Sequence, residues 1–174
     1  MQNRTLRQLT AAGVIAAAYA ALSLVLATIT FGPVQCRISE ALTLLPVISP
    51  AAIWGVTLGC AVTNGVGAAT GTNFLGLVDL PVGTAATLLA AVATRHLGKI
   101  RFGGLPWLSA LPPILFNAVA IGGEWCYAMT GSINGAFWVF AGQIALGQLP
   151  PCLLGVWLVG LLERRSLQTI IEGK

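Results

Sequence analysis

The sequence predicts an all-α membrane protein, a compact bundle of six transmembrane helices with a short second helix and both termini cytoplasmic. Composition is the first reason: 56% of the residues are hydrophobic and 8% are charged, where a soluble domain carries about 25% charged residues. The second is the recurrence of apolar runs close to the roughly 20 residues that cross a bilayer as a helix. The third is the placement of charge. Of the nine Lys and Arg, all except Arg37 fall on one side of a six-span arrangement, as basic residues of cytoplasmic connections do. No stretch between the runs is long enough for a second domain, so residues 1–174 are read as a single membrane domain.

The first run, Leu9 to Thr30, follows Arg4 and Arg7 and is longer than the roughly 7 to 15 apolar residues of a cleaved signal peptide, so it is read as a retained span. Along it Ala12, Ala16 and Ala20 recur every fourth residue, with Gly13, Ala17 and Ala21 as a parallel row. Small residues in register let another helix approach closely, either within the bundle or from a partner. The next run, Ser39 to Ile48, is too short to cross as an untilted α-helix. Pro46 within it and Ser49-Pro50 after it predict a brief helix buried among its neighbours. Counting it as a pass gives six spans; leaving it out gives five, with Arg4 and Arg7 on the opposite side from the other basic residues. Four further spans are predicted over Ala51–Ala69, Leu80–Thr94, Leu108–Tyr127 and Ala136–Leu162. The connection Arg95 to Gly104 holds three basic residues and the single histidine, His96, and reads as a topology-setting patch that includes Lys99 and Arg101. Arg164, Arg165 and Lys174 are expected on the same side.

Ionisable groups inside spans cost roughly 2.5 to 3.5 kcal/mol each on insertion scales, so they persist where they face protein, water or a ligand. Arg37 and Glu40 lie three apart and are expected to form an ion pair at the start of the short helix. Asp79 precedes the fourth span, where an N-cap is expected. Asn117 and Glu124 are seven apart and share a helical face; Thr57, Cys60 and Asn64 share another, and Thr84, Thr87 and Thr94 a third. If these faces converge near the outward end they form a pocket capped by three glycine-rich loops, with Glu124 as the natural acid for a ligand. Trp125, Tyr127, Phe137 and Trp138, with Phe74 in the middle loop, are candidates to stack on a flat heterocycle.

Chemistry of other kinds finds no support. There is no phosphate-binding lysine in a glycine-rich segment, no His-Glu zinc pattern and no glycine-flanked nucleophilic serine, so no enzyme activity is expected. Cys36, Cys60, Cys126 and Cys152 are scattered through apolar sequence without a close pair, and neither a metal nor another cofactor is expected. No nucleic-acid partner is expected. A pocket without energy-coupling machinery must be passive, ion-coupled or driven by a partner.

The run GPVQCRISEALTLLPVISPAAIWGVTLGC, from Gly32, resembles the signature region of the QueT family, the S components of energy-coupling factor (ECF) transporters for queuosine precursors. DLPVGTAATLLAA, from Asp79, and ALGQLPPCLLG, from Ala145, continue the resemblance in order. It implies an S-component fold in the cell membrane that binds a 7-deazaguanine such as pre-queuosine 1, queuine or queuosine. The implied partners are a transmembrane coupling protein (EcfT) and two cytoplasmic ATPases, met through the row Ala12, Ala16 and Ala20. Against that ligand, Glu124 is expected to accept the adjacent N–H donors of the guanine-like edge. Asn117 or Asn64 would read its carbonyl, and Glu40 or Asp79 would face a cationic aminomethyl substituent. The alternatives are a stand-alone ion-coupled or facilitative carrier, or an S component for another heterocyclic, vitamin-like ligand.

Overall fold

The computed structural model describes residues 2–32 and 34–164. Arg165 and Lys174, expected beside Arg164, lie outside the described residues. Among the described residues are six α-helices: α1 (Gln2–Val25), the single turn α2 (Ala27–Thr30), α3 (Ala51–Ala69), α4 (Asp79–Leu97), α5 (Leu111–Thr130) and α6 (Phe137–Arg164). No strand occurs among the described residues. Four helices among the described residues are long and apolar enough to cross a membrane, over Asn3–Val25, Ala51–Ala69, Gly76–Leu97 and Phe137–Arg164; α5, which covers most of the span expected over Leu108–Tyr127, is not among them. The first expected run breaks at Leu26, whose backbone leaves the helical region, and the Thr30 hydroxyl ties the extra turn back to the Ser23 carbonyl at 2.9 Å.

The short second element is a ten-residue 3-10 helix, Ile38–Val47. At about 2.0 Å per residue it reaches roughly 20 Å, against about 15 Å for the same residues as an α-helix. The open backbone from Gln35 to Arg37 lengthens it further. Backbone of this kind is tolerated at membrane depth only where protein covers it. Ser39, Glu40, Ala41, Thr43, Leu44, Leu45 and Pro46 are indeed buried, so the expected brief, covered helix is present in a tighter form. Two glycines of α6 make room for it. A Cβ at Gly147 would overlap the Val34 carbonyl, and one at Gly155 would overlap the Ala41 carbonyl and the Leu44 side chain.

Successive elements run back and forth. At one end the Arg95 guanidinium donates to the Pro46 carbonyl at 2.8 Å, Arg101 pairs with Glu163, and Leu6 and Arg7 share a cleft with Leu158 and Leu162. The start of α1 and the end of α6 therefore lie at one end of the bundle, together with the cations of the α4–α5 connection. Leu44, Leu45, Ile48, Ala52, Ile114, Val156 and Val159 pack into a core. Towards the opposite end the interior becomes polar.

Helix association in lipid relies on close packing, because lipid tails are as apolar as the side chains they would release. The α1–α3 contact follows that rule through Gly55 and Gly59. A Cβ at either would overlap α1, at Ile15 and the Ala12 carbonyl or at Tyr19 and the Ala16 carbonyl. The row expected to meet a partner therefore packs within the bundle: Ala12 and Ala20 are buried and Ala16 is half-buried against α3, whereas Gly13, Ala17 and Ala21 are exposed. Rotation of α1 is set by the two glycines of α3, which a single helix's pattern does not reveal.

Candidate functional site

Every long element contributes to one buried polar cluster. Arg37, 4% exposed, lies over the Phe31 ring at 5.5 Å. Its guanidinium donates to Asn64 Oδ1 at 3.2 Å, to the Cys60 sulfur at 3.6 Å and, at 3.5 Å, to the Tyr19 hydroxyl. Tyr19 in turn donates to Glu40 Oε1 at 2.5 Å. The expected direct ion pair between Arg37 and Glu40 is absent, since the one salt bridge among the described residues is Arg101–Glu163. A phenol stands between the two charges instead. Arg37 precedes the 3-10 helix on extended backbone, φ −98° and ψ 102°, so the i, i+3 register that would eclipse two helical side chains does not reach it, and α1 supplies the bridge.

Asp79 also departs from expectation. The N-cap of α4 is Val78, with no side-chain cap bond, and Asp79 is fully buried. Its Oδ2 accepts from Asn73 Nδ2 at 2.8 Å, and its carbonyl accepts from Asn64 Nδ2 at 2.9 Å. Asn64 thus joins the arginine to the start of α4. Asn73 is held by a bond from its N–H to the Gly67 carbonyl at 3.0 Å, while its Oδ1 receives the Leu75 N–H at 3.1 Å. Gly67 has no room for a Cβ between Phe31 and Asn73. The glycine-rich middle loop is therefore clamped onto the cluster.

Several buried atoms of the cluster have no partner in the protein: Glu40 Oε2, Asp79 Oδ1, Arg37 Nε and the amide oxygens of Gln35 and Gln148. Native interiors leave few such groups, because an unpaired buried donor or acceptor costs about 1–3 kcal/mol. Their concentration here marks a place built to meet polar chemistry. Asn117, also buried, lies on α5 on the same face as Glu124, as its spacing predicted.

Glu124 has both carboxylate oxygens unpartnered and lines a cleft of about 400 Å³ with Phe74, Leu75, Val78, Gly123 and Tyr127. Next to it in sequence, Trp125 is buried and stacks with two rings: Phe74 at 5.1 Å and 14°, and Phe140 at 6.4 Å and 21°. Trp138 stands apart, 77% exposed and edge-on to Phe137, so it does not join this wall. Phe140 takes the place expected of Trp138. The substitution follows from helix phase: position 138 points outwards from the first turn of α6, and position 140 inwards.

Tyr19, Asn73 and Gln35 were missed in the sequence. A tyrosine and a serine at positions 19 and 23, four apart on one face of an otherwise apolar first span, are the signal for Tyr19. Asn73 sits in a loop already marked by its glycines. Gln35 had no comparable signal, and its left-handed backbone, φ 47°, emerges only with the fold.

A helical bundle with a lipid-compatible exterior and a buried polar cluster is the build of a membrane transport protein that handles a small polar molecule. A family model described as QueT transporter matches residues 9–164, and the chain belongs to that family, which is one of transporters and not of enzymes. Neither a curated protein nor a solved structure matches the chain.

Proposed function

We propose that this protein is the substrate-binding S component of an ECF importer, making six passes of the cell membrane with both termini in the cytoplasm. In this reading it captures a queuosine precursor or related 7-deazaguanine from outside and passes it on by docking on EcfT and its two ATPases. The observation that carries the reading is the Glu124 cleft in a QueT-family chain. An unpartnered carboxylate stands there beside a buried tryptophan, and the ring stacked on that tryptophan belongs to a 60% exposed loop residue, Phe74. A flat heterocycle stacks on Trp125 either in place of Phe74 or beside it. Its guanine-like edge supplies two N–H donors to Glu124. Of the two candidate amides Asn117 reads the carbonyl, since Asn64 already donates to the Asp79 carbonyl and the Cys60 sulfur, and Glu40 and Asp79 receive a cationic substituent through their unpartnered oxygens. The gathering of Arg4, Arg7, Arg95, Lys99, Arg101 and Arg164 at one end of the bundle supports the orientation, with the cleft at the other.

The test is thermal unfolding of the purified chain with pre-queuosine 1, queuine and queuosine. A specific ligand at 100 times its dissociation constant adds about 2.7 kcal/mol, a clear rise in Tm. No rise with any 7-deazaguanine overturns the ligand class. Uptake by the chain alone in vesicles would replace the S component with a stand-alone carrier.

For docking, the relevant face of α1 is the exposed row. The span window in α1 is 17% buried, against 56% in α3 and 50% in α6, which leaves α1 the most available surface for a partner helix. Ala17→Leu is expected to abolish uptake with ligand binding and Tm unchanged, because its bulk enters no packed contact of this chain. Ala16→Leu is expected to lower Tm by wedging α1 from Gly59. Full uptake by Ala17→Leu would put the docking surface elsewhere.

A further inference from the structure

The α4–α5 connection carries more organisation than a topology signal needs. Phe102 and Leu105 exchange backbone bonds at 3.0 and 3.2 Å around Gly103 and Gly104, both with positive φ, which makes a tight two-residue hairpin turn. Leu105 anchors it to α6, where a Cβ at Gly160 would overlap the leucine. On its way to the hairpin the chain forms a cleft of about 420 Å³ lined by Val47, Arg95, His96, Gly98, Lys99 and Arg101. Two of those cations are fixed in place. Arg95 is held by the Pro46 carbonyl, and Arg101 by a two-point bond to Glu163 at 2.8 Å for both contacts. Lys99 and His96 are exposed at the rim. Glu163 neutralises one of the three full positive charges, so the cleft keeps an excess of two before His96 is counted. Around it Ile100, Phe102 and Trp107 are exposed, at 44%, 57% and 45%.

Cations converging on a cleft, with apolar and aromatic side chains beside them, match a lipid. The phosphate goes to the charges and the glycerol and upper acyl chains lie against the apolar rim. We propose that this cleft is a binding site for the phosphate headgroup of an anionic membrane lipid. It is independent of the transported ligand and lies at the other end of the bundle from Glu124. A merely topological patch needs positive charge on one side of the membrane, but it needs neither a shared cleft nor a rigid hairpin with exposed rings.

The experiment titrates the full chain in detergent with phosphatidylglycerol, phosphatidylcholine or inorganic phosphate, following Tm and the lipids retained in native mass spectrometry. Phosphatidylglycerol is expected to be retained and to raise Tm, with the other two weak. Lys99→Gln, at an exposed position with no side-chain hydrogen bond or ion pair among the described residues, should weaken it roughly fivefold, the equivalent of about 1 kcal/mol per basic residue. Phe102→Ser should weaken it further, while Arg4→Gln/Arg7→Gln, at the same end but outside the cleft, should leave it unchanged. Equal retention of the two lipids overturns the proposal. So does an equal loss in the Arg4/Arg7 control, which would mean diffuse charge, and so does inorganic phosphate as effective as the lipid, which would mean a free-anion site.

Discussion

Arg37→Met is expected to cost about 3–5 kcal/mol of stability, the penalty for removing one partner from a buried charged network. Among the described residues Arg37 is the buried cation, and Glu40 and Asp79 are the buried acids. Its loss strands both, and it also leaves Asn64 Oδ1 and the Cys60 sulfur without their donor. The measurement is Tm in detergent, supported by yield of folded protein. Arg37→Lys should fall between parent and Met, since a point charge cannot serve Tyr19 and Asn64 together as the fork does. Arg37→Met/Glu40→Gln should recover part of the loss, because one stranded charge has gone. A single Arg37→Met variant as stable as the parent would show that the cluster does not depend on charge compensation.

Glu124→Gln is expected to behave in the opposite way, leaving the fold and removing the ligand. Both Glu124 oxygens lack protein partners, so Tm without ligand should match the parent. Affinity for a 7-deazaguanine should fall roughly 10- to 150-fold, as when a hydrogen bond to a charged group is lost. Calorimetry or quenching of tryptophan fluorescence measures it, the latter because Trp125 stacks on Phe74, which lines the cleft. A dissociation constant equal to the parent's would take the recognition role away from Glu124 and leave Glu40 or Asp79 to carry it.

Much of the buried polar cluster was legible because buried polarity is expensive in a membrane. Arg37, Glu40, Asn64, Asp79 and Asn117 stand out from apolar surroundings, and each is buried in the cluster. Their partners were not legible. The bridge between Arg37 and Glu40 comes from Tyr19, 18 residues away, and the donor to Asp79 comes from a loop. Neither spacing falls within one helix, so no periodicity reports it. The aromatic wall was half legible for the same reason: Phe74 and Trp125 belong to it, Trp138 does not, and Phe140 depends on the phase at which α6 begins.

Composition alone determined that the chain is helical and membrane-embedded, since apolar runs without water must satisfy their backbone internally. The apolar runs located the four helices long and apolar enough to cross a membrane, and the basic residues of the α4–α5 connection gather at the end of the bundle where α1 starts and α6 finishes. The tertiary structure decided how each helix is rotated. In water a polar face and an apolar face announce inside and outside, but in lipid both faces are apolar, and size replaces polarity as the cue. Gly55 and Gly59 on α3 therefore chose which alanine row of α1 is buried, and Gly147 and Gly155 on α6 let a 3-10 helix carry Arg37 and Glu40 into the centre of the bundle.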